Sequence, residues 1–429
     1  MSIVLYGTRN DDWRFKPGVA YYVKGTKMRI LAIYRYFWPD NAPYGRILKI
    51  ILSHLAKNGH ECSVITGYPS YNYIQNNRLP KTEHIDNIRV KRFFTCVSLW
   101  RGFDFFIFFV KAFFYVIRYK NNYDLMIVNS YPPVAMGFFA RFISKITGLK
   151  YIYHLQDIQP ESLRYAGKIK LNPTYELLRH LDKENCEKAL KCVTLSEDMK
   201  NTLIARGIQD VTVQVINNPA QKEPTWKSLD LIPDEFPKDK FIILFAGNMG
   251  RFQCLHLFID AAKILSNHQD IVFVFMGDGA MRQKLFNQAG QLVGKNVIFI
   301  PYQKPEVAGS AMQFAELGLV PLMPGLANVA YPSKVPTLLN YGCPVLALVE
   351  SESELAKTIN NNRLGYILPN RDPEQIALCI EKIREDYKSF KEGKDAYFFK
   401  NVEKLFGYDS IMKRWDNLLT EIEESGKAC

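Results

Sequence analysis

At 429 residues the chain is too long for one ordinary core, and about 150 residues per domain implies two or three. With 48% hydrophobic and 23% charged residues it is globular, which excludes disordered and fibrous classes. Its formal charge of +12 belongs to the first half: residues 1–219 carry 31 Lys and Arg against 17 Asp and Glu, and 220–429 carry 24 against 26. Such a half suits nucleic acid, an anionic membrane surface or a phosphorylated substrate, unless its lysines are merely solvated.

In chain order, residues 1–27 lack the apolar core and cleavage site of a signal peptide and read as an N-terminal extension of unassigned role. From Ile30–Tyr34 onward, short apolar runs alternate with amphipathic stretches. Cys62–Thr66, Ile88–Phe93, Leu125–Asn129, Tyr151–His154 and Cys192–Leu195 read as buried strands. Arg46–Asn58, Val134–Thr147 and Pro173–Leu190 read as helices between them. This alternation predicts a parallel sheet covered on both faces. Phe103–Ile117 (FDFFIFFVKAFFYVI) is shorter than the roughly 20 residues needed to span a bilayer. It is either a helix buried in the first domain or one lying among lipid headgroups, with Arg101, Arg118 and Lys120 at its ends. The eight cysteines form no CxxC pair, and Cys186 and Cys192 are too far apart for a compact zinc knuckle, so reduced thiols of a cytosolic protein are expected.

The pattern pauses over 219–240, where Pro224, Pro233 and Pro237 mark a linker. It restarts with Phe241–Phe245, Ile271–Met276, Val297–Ile300, Gly318–Leu322 and Val345–Leu348. The prediction is two doubly wound Rossmann-like domains, 28–218 and 241–400, facing across a cleft that holds the ligand. Residues 401–429, with Tyr408–Ile422 as a helix, are expected to return to the first domain.

Candidate chemistry gathers at the second restart. A strand runs into Gly247-Asn248-Met249-Gly250-Arg251 and then a helix near Cys254–Leu265. Glycines allow close backbone approach, a helix N-terminus offers N–H groups, and Arg251 adds a bidentate donor, which together suit a phosphate. Gly277-Asp278-Gly279 forms a second strand-to-helix turn, and Tyr331-Pro332-Ser333-Lys334 opens a further helix. Ser333 reads equally well as a plain N-cap, whereas Lys334 can reach the same phosphates. In the first half, His154, Asp157 and Glu161 follow a strand at the sheet's carboxyl edge, where ligands bind in open α/β folds. Asp157 is the favoured proton acceptor there, and His154 is either its partner or a hydrogen-bonded core residue.

The ordered set FAGNMGRFQCL, VFMGDGAMRQKL, YPSKVPTLLNYGCPVLAL and ESELAKTINNNRLGYILPNRDPEQIA resembles the donor half of retaining family 4 glycosyltransferases of the GT-B fold. YRYFWPDNAPYGRILKIILSHLAKNGHECSVIT and YIYHLQDIQPESL resemble the acceptor half, nearest to bacterial capsule, O-antigen and colanic-acid enzymes. The resemblance implies metal-free transfer, with retention, from a UDP- or GDP-sugar and with no further cofactor. The basic first half and the aromatic segment Phe103–Ile117 suggest a lipid-diphosphate-linked glycan as acceptor, at the inner face of the cytoplasmic membrane. It places Gly247, Asn248, Met249, Gly250, Arg251, Gly277, Asp278, Gly279, Tyr302, Ser333, Lys334 and Thr337 around the donor. Gly45 and Arg46, in the loop beginning at Asp40, and Glu161 fall on the acceptor side. His154, Asp157, Arg251 and Lys334 are the implied catalytic set. Asn248 and Gln253 stand where the family commonly has Arg and Lys, and Thr337 where many members carry the ribose-binding Glu. A nucleotide-sugar 2-epimerase on a similar frame is the alternative. A basic nucleic-acid-binding module is a remote one, since the aromatics lie in apolar runs rather than among the cations.

Overall fold

The computed structural model describes residues 27–40, 42–70, 79–95, 101–220, 231–251, 253–368 and 370–426. The N-terminal extension, apart from Lys27, and linker residues 221–230 lie outside the described residues. The first domain runs β1 (Arg29–Ile33), α1 (Pro43–Lys57), β2 (Glu61–Gly67), β3 (Thr82–Ile85), β4 (Ile88–Phe93), α2 (Arg101–Tyr119) and β5 (Leu125–Asn129). It continues α3 (Ala135–Thr147), β6 (Lys150–His154), α4 (Glu161–Tyr165), α5 (Pro173–Glu187), β7 (Lys191–Thr194), α6 (Glu197–Ala205) and β8 (Val213–Val215). The second runs β9 (Phe241–Ala246), α7 (Leu255–Ile264), β10 (Ile271–Met276), α8 (Arg282–Ala289), β11 (Val297–Ile300), α9 (Pro305–Phe314) and β12 (Leu317–Pro321). It ends α10 (Lys334–Asn340), β13 (Val345–Leu348), α11 (Glu354–Asn361), β14 (Gly365–Leu368), α12 (Pro373–Phe406) and α13 (Tyr408–Glu424).

The second sheet has the order β11-β10-β9-β12-β13-β14, all parallel. The first has β3-β4-β2-β1-β5-β6-β7-β8, parallel except for β3 at its edge. In both, the order reverses beside the first strand of the domain, β1 against β5 and β9 against β12. That is the switch point at which the loops diverge and leave a crevice. The central strands are buried along their length, as covering by helices on both faces requires. β3, β8 and β14 were not anticipated. They are short and end or edge the sheets, where one side meets water and no apolar run is needed.

Two crossings join the domains. One is the linker, and the other is the turn at Gly407 between α12 and α13, later than the expected break at 400. They meet where the Ala220 amide donates to the Phe406 carbonyl at 2.8 Å. α13 then lies on the first domain, burying Ile411, Met412, Trp415, Leu418, Leu419 and Ile422 in one cluster with α1 and β1. Lys191–Glu421 (2.6 Å) and His54–Asp416 (2.9 Å) tie down its polar side.

α2 buries one face of Phe103–Ile117 in the first domain and exposes the other. Phe105, Phe108, Ala112 and Val116 are buried, and Asp104 pairs with the buried Arg35 at 2.9 Å. Phe103, Phe106, Val110 and Phe114 are exposed on the other side. α3 extends that apolar surface with Phe138, Phe142 and Ile146, joined to α2 by stacking of Phe113 on Phe142. No helix among the described residues is long and apolar enough to cross a membrane.

Candidate active site

The crevice between the two switch points encloses a cavity of about 420 Å³, within the range of small-molecule sites. The first domain contributes Tyr131 and Pro133 after β5, and Asp157, Gln159 and Lys168 from the segment after β6. The second contributes Phe245, Gln253 and the β12–α10 segment ending in Ser333 and Lys334. The two sides are stitched by backbone. Asp157 bridges antiparallel to Ala330, and the Ile158 amide donates to the Val329 carbonyl at 2.7 Å. The candidate proton acceptor and the loop leading to the candidate cation are therefore one tethered unit. Burial pushes the Asp157 carboxyl up to about 6.

Lys334 is the most unusual group in the crevice. Its Nζ is sealed from solvent without a hydrogen-bond partner and sits 3.3 Å from the centre of the Phe245 ring. Burial pushes the amine down to about 7. Gly247 makes room for this posture: its φ is +125°, and a Cβ there would lie 3.0 Å from Lys334 Cε. The two glycine turns lean on each other in the same way. A Cβ at Gly277 (φ +134°) would meet the Gly247 carbonyl oxygen at 2.1 Å.

Comparison with known proteins bears on what such a crevice belongs to. Residues 45–223 match the model of Glycosyltransferase Family 4, and 231–397 match that of Glycosyl transferases group 1. The chain is 24% identical over 381 residues to the protein of Escherichia coli K12 named colanic acid biosynthesis glycosyl transferase WcaI, covering 83% of this chain and 92% of that one. Over 243 residues it is 25% identical to the Pseudomonas aeruginosa glycosyltransferase WbjE, covering 56% and 60%. Among solved structures, sucrose-phosphate synthase of Thermosynechococcus elongatus superposes with TM-score 0.69 at 16% identity, covering 93% of this chain and all of that one. HepE of Anabaena in complex with UDP does so with TM-score 0.64 at 16% identity, covering 92% and 100%. The chain is a GT-B glycosyltransferase of the group 1 and family 4 type.

Within this glycosyltransferase the expected site residues separate. Asp157, Ser333 and Lys334 line the crevice together. Ser333 stands at the N-cap of α10, yet its side chain makes no capping bond. The phosphate loop departs from a simple amide cradle. The Gly247 and Met249 amides donate to the Met276 and Asp278 carbonyls, and the Gly250 amide is taken by Gln253 Oε1 at 3.0 Å. Met249 is fully buried in the core of the second domain. Asn248 and Arg251 stay exposed on the loop, and Asp278 is exposed with its carboxylate accepting from the Gly279 amide. Gly279 packs its backbone on Met249. Tyr302 is 74% exposed in the segment after β11, and Thr337 turns its hydroxyl back to the Ser333 carbonyl at 3.4 Å.

Three first-domain candidates, His154, Glu161 and Gly45, are not among the residues that line the crevice. His154 is 1% exposed, with Nδ1 against the Tyr44 hydroxyl (3.2 Å), Nε2 against Gln156 (3.0 Å) and Trp415 packed on its ring. Burial pushes it down to about 3, so it is a neutral core histidine beside the Asp157 segment. Glu161 is engaged by Arg206 and by Arg179 (3.4 Å), while Arg206 also holds Asp182 and the Gln159 carbonyl. This ion cluster anchors the turn after β6. Gly45 is needed for packing, since a Cβ there would meet the Tyr36 carbonyl oxygen at 2.4 Å; Arg46 beside it is half-buried in the first turn of α1.

Sequence reasoning missed Tyr131 and Lys168 as lining residues and did not see that Gln253 closes the loop it follows. No local motif marks the first two. They reach the crevice because β5 and β6 end at the same sheet edge.

Proposed function

We propose that this glycosyltransferase moves a sugar, with retention at the anomeric carbon, from a UDP- or GDP-sugar to a saccharide carried on a lipid diphosphate. The observation that carries this reading is the sealed, unpartnered Lys334 amine facing the same crevice as Asp157. A buried amine without a hydrogen-bonding carboxylate is poised for an anion. The departing nucleoside diphosphate gains charge in the transition state, so Lys334, aided by Arg251 from the loop, stabilises that state more than the ground state. With these cations the transfer needs no divalent metal. Asp157 accepts the acceptor's proton or steadies positive charge on the sugar.

The membrane reading rests on the exposed α2–α3 aromatics and the cations Arg118, Arg141 and Lys145 beside them. The enzyme then works at the inner face of the cytoplasmic membrane, in synthesis of bacterial surface polysaccharide of the sort named for WcaI. A thermal-shift panel of UDP, GDP and their sugars tests the donor site. Stabilisation by a nucleotide should be lost in Lys334→Ala and weakened in Arg251→Ala; stabilisation indifferent to both would remove the assignment. NMR of the incubated sugar nucleotide alone separates the epimerase alternative, which would release an epimer without an acceptor. Flotation with anionic liposomes should carry the wild type upward and leave a Phe106→Ser/Phe114→Ser double variant behind.

A further inference from the structure

We propose that Lys334 rests as a neutral amine in the empty crevice and captures a proton as the donor's diphosphate arrives, so that nucleotide binding draws a proton from solution. This deepens the donor-site reading above and rests on it. An ordinary phosphate-binding lysine reaches through water and is charged before its ligand comes. Lys334 is built differently. Its Nζ is closed off by the Phe245 ring on one side and by the Gly247 backbone, whose missing side chain admits the lysine stem.

The charged and titratable groups nearby do not replace a counter-ion. Asp157 and Lys168 line the crevice from the first domain, with Tyr131 beside them; Tyr331 precedes α10, and Arg251 and Asp278 stand on the glycine turns. None of them hydrogen-bonds to Nζ. The ring face attracts an ammonium, but only modestly against the cost of burying an unpaired charge. The amine is accordingly held near 7 by burial. A diphosphate brought into the same enclosure reverses the balance, because it supplies the missing negative charge at short range.

The sign follows directly. The empty site is mostly unprotonated above pH 7, whereas the occupied site keeps its proton to higher pH. Proton uptake is therefore near its maximum around pH 8 and fades as the pH falls below 7. Between the two pKa values the affinity drops up to about tenfold for each unit of rising pH.

The experiment is calorimetric titration of the full-length protein with UDP, and with GDP as second probe, at pH 8 in Tris and in HEPES. These buffers differ in ionisation enthalpy, so the difference in apparent heat counts protons. Wild type should take up about one proton per nucleotide. Lys334→Arg, charged at every accessible pH, and Lys334→Met, which carries no charge, should take up none, and Asp157→Asn, whatever its loss of turnover, should keep the proton uptake. Binding without proton uptake in the wild type would overturn the proposal, as would uptake that survives in either Lys334 variant. Failure of both nucleotides to bind would instead overturn the donor-site reading, and this inference with it.

Discussion

At the scale of single residues, the site depends on which side chains are absent as much as on which are present. Gly247 adopts a positive φ and leaves room for the Lys334 stem. Gly247→Ala combines backbone strain of about 1–3 kcal/mol with a methyl pressed on that stem. UDP affinity, read by calorimetry, should fall about tenfold or more for that reason. Asp157 carries a different prediction. Its carboxyl is raised to about 6, so the proton-accepting carboxylate accumulates as pH rises through that value. The acid limb of kcat/KM should lie near 6 and vanish in Asp157→Asn, with kcat down by about 10²–10⁴-fold and donor KM little changed. An equal loss of donor affinity would assign Asp157 to binding instead.

At the scale of elements, α6 and α11 form a clasp that the sequence shows only in halves. Ser196-Glu197 and Ser353-Glu354 are each legible as a helix start, and both serines cap their own helices. That the two N-termini face one another across the domains is a tertiary fact. The Glu197 amide donates to Glu354, and the Glu354 amide donates to Asp198 at 2.8 Å. Thr202 adds a bond to the Asn328 carbonyl at 2.7 Å. Burial, then the like charges of Asp198 and Glu197, raise the Glu354 carboxyl from 4.5 to about 7. A group raised on docking favours the docked form in acid. Its contribution is full below the ordinary carboxyl range and is lost as pH rises through 7. Small-angle scattering should therefore find the ligand-free enzyme more compact at pH 5.5 than at 8.5. Glu354→Gln should flatten that dependence; a pH response unchanged by the substitution would dissociate the clasp from closure.

At the scale of the whole molecule, α13 makes the two domains one unit, since it leaves the second domain at Gly407 and completes the core of the first. Trp415 is 1% exposed against His154, and Trp415→Ala should cost about 3–5 kcal/mol of stability through the cavity it leaves. Chemical denaturation should register this in the first-domain transition, and a change confined to the second would contradict the assignment.

The central strands were legible from sequence because a strand buried on both faces must be apolar throughout. Leu125–Asn129, Ile271–Met276 and Val345–Leu348 coincide with the observed strands for this reason, whereas Ile88–Phe93 and Val297–Ile300 coincide although each has positions that are not buried. The order of motifs along the chain likewise determined the family and the two-domain plan. Only the tertiary structure decided which candidates share the crevice. His154 and Asp157 are three positions apart, but one is sealed under Trp415 while the other bridges to Ala330 in the opposite domain. Burial, and the partners that come with it, depends on contacts between segments far apart in the chain. Residue type and local spacing say what a side chain can do; packing sets its charge and whether anything can reach it.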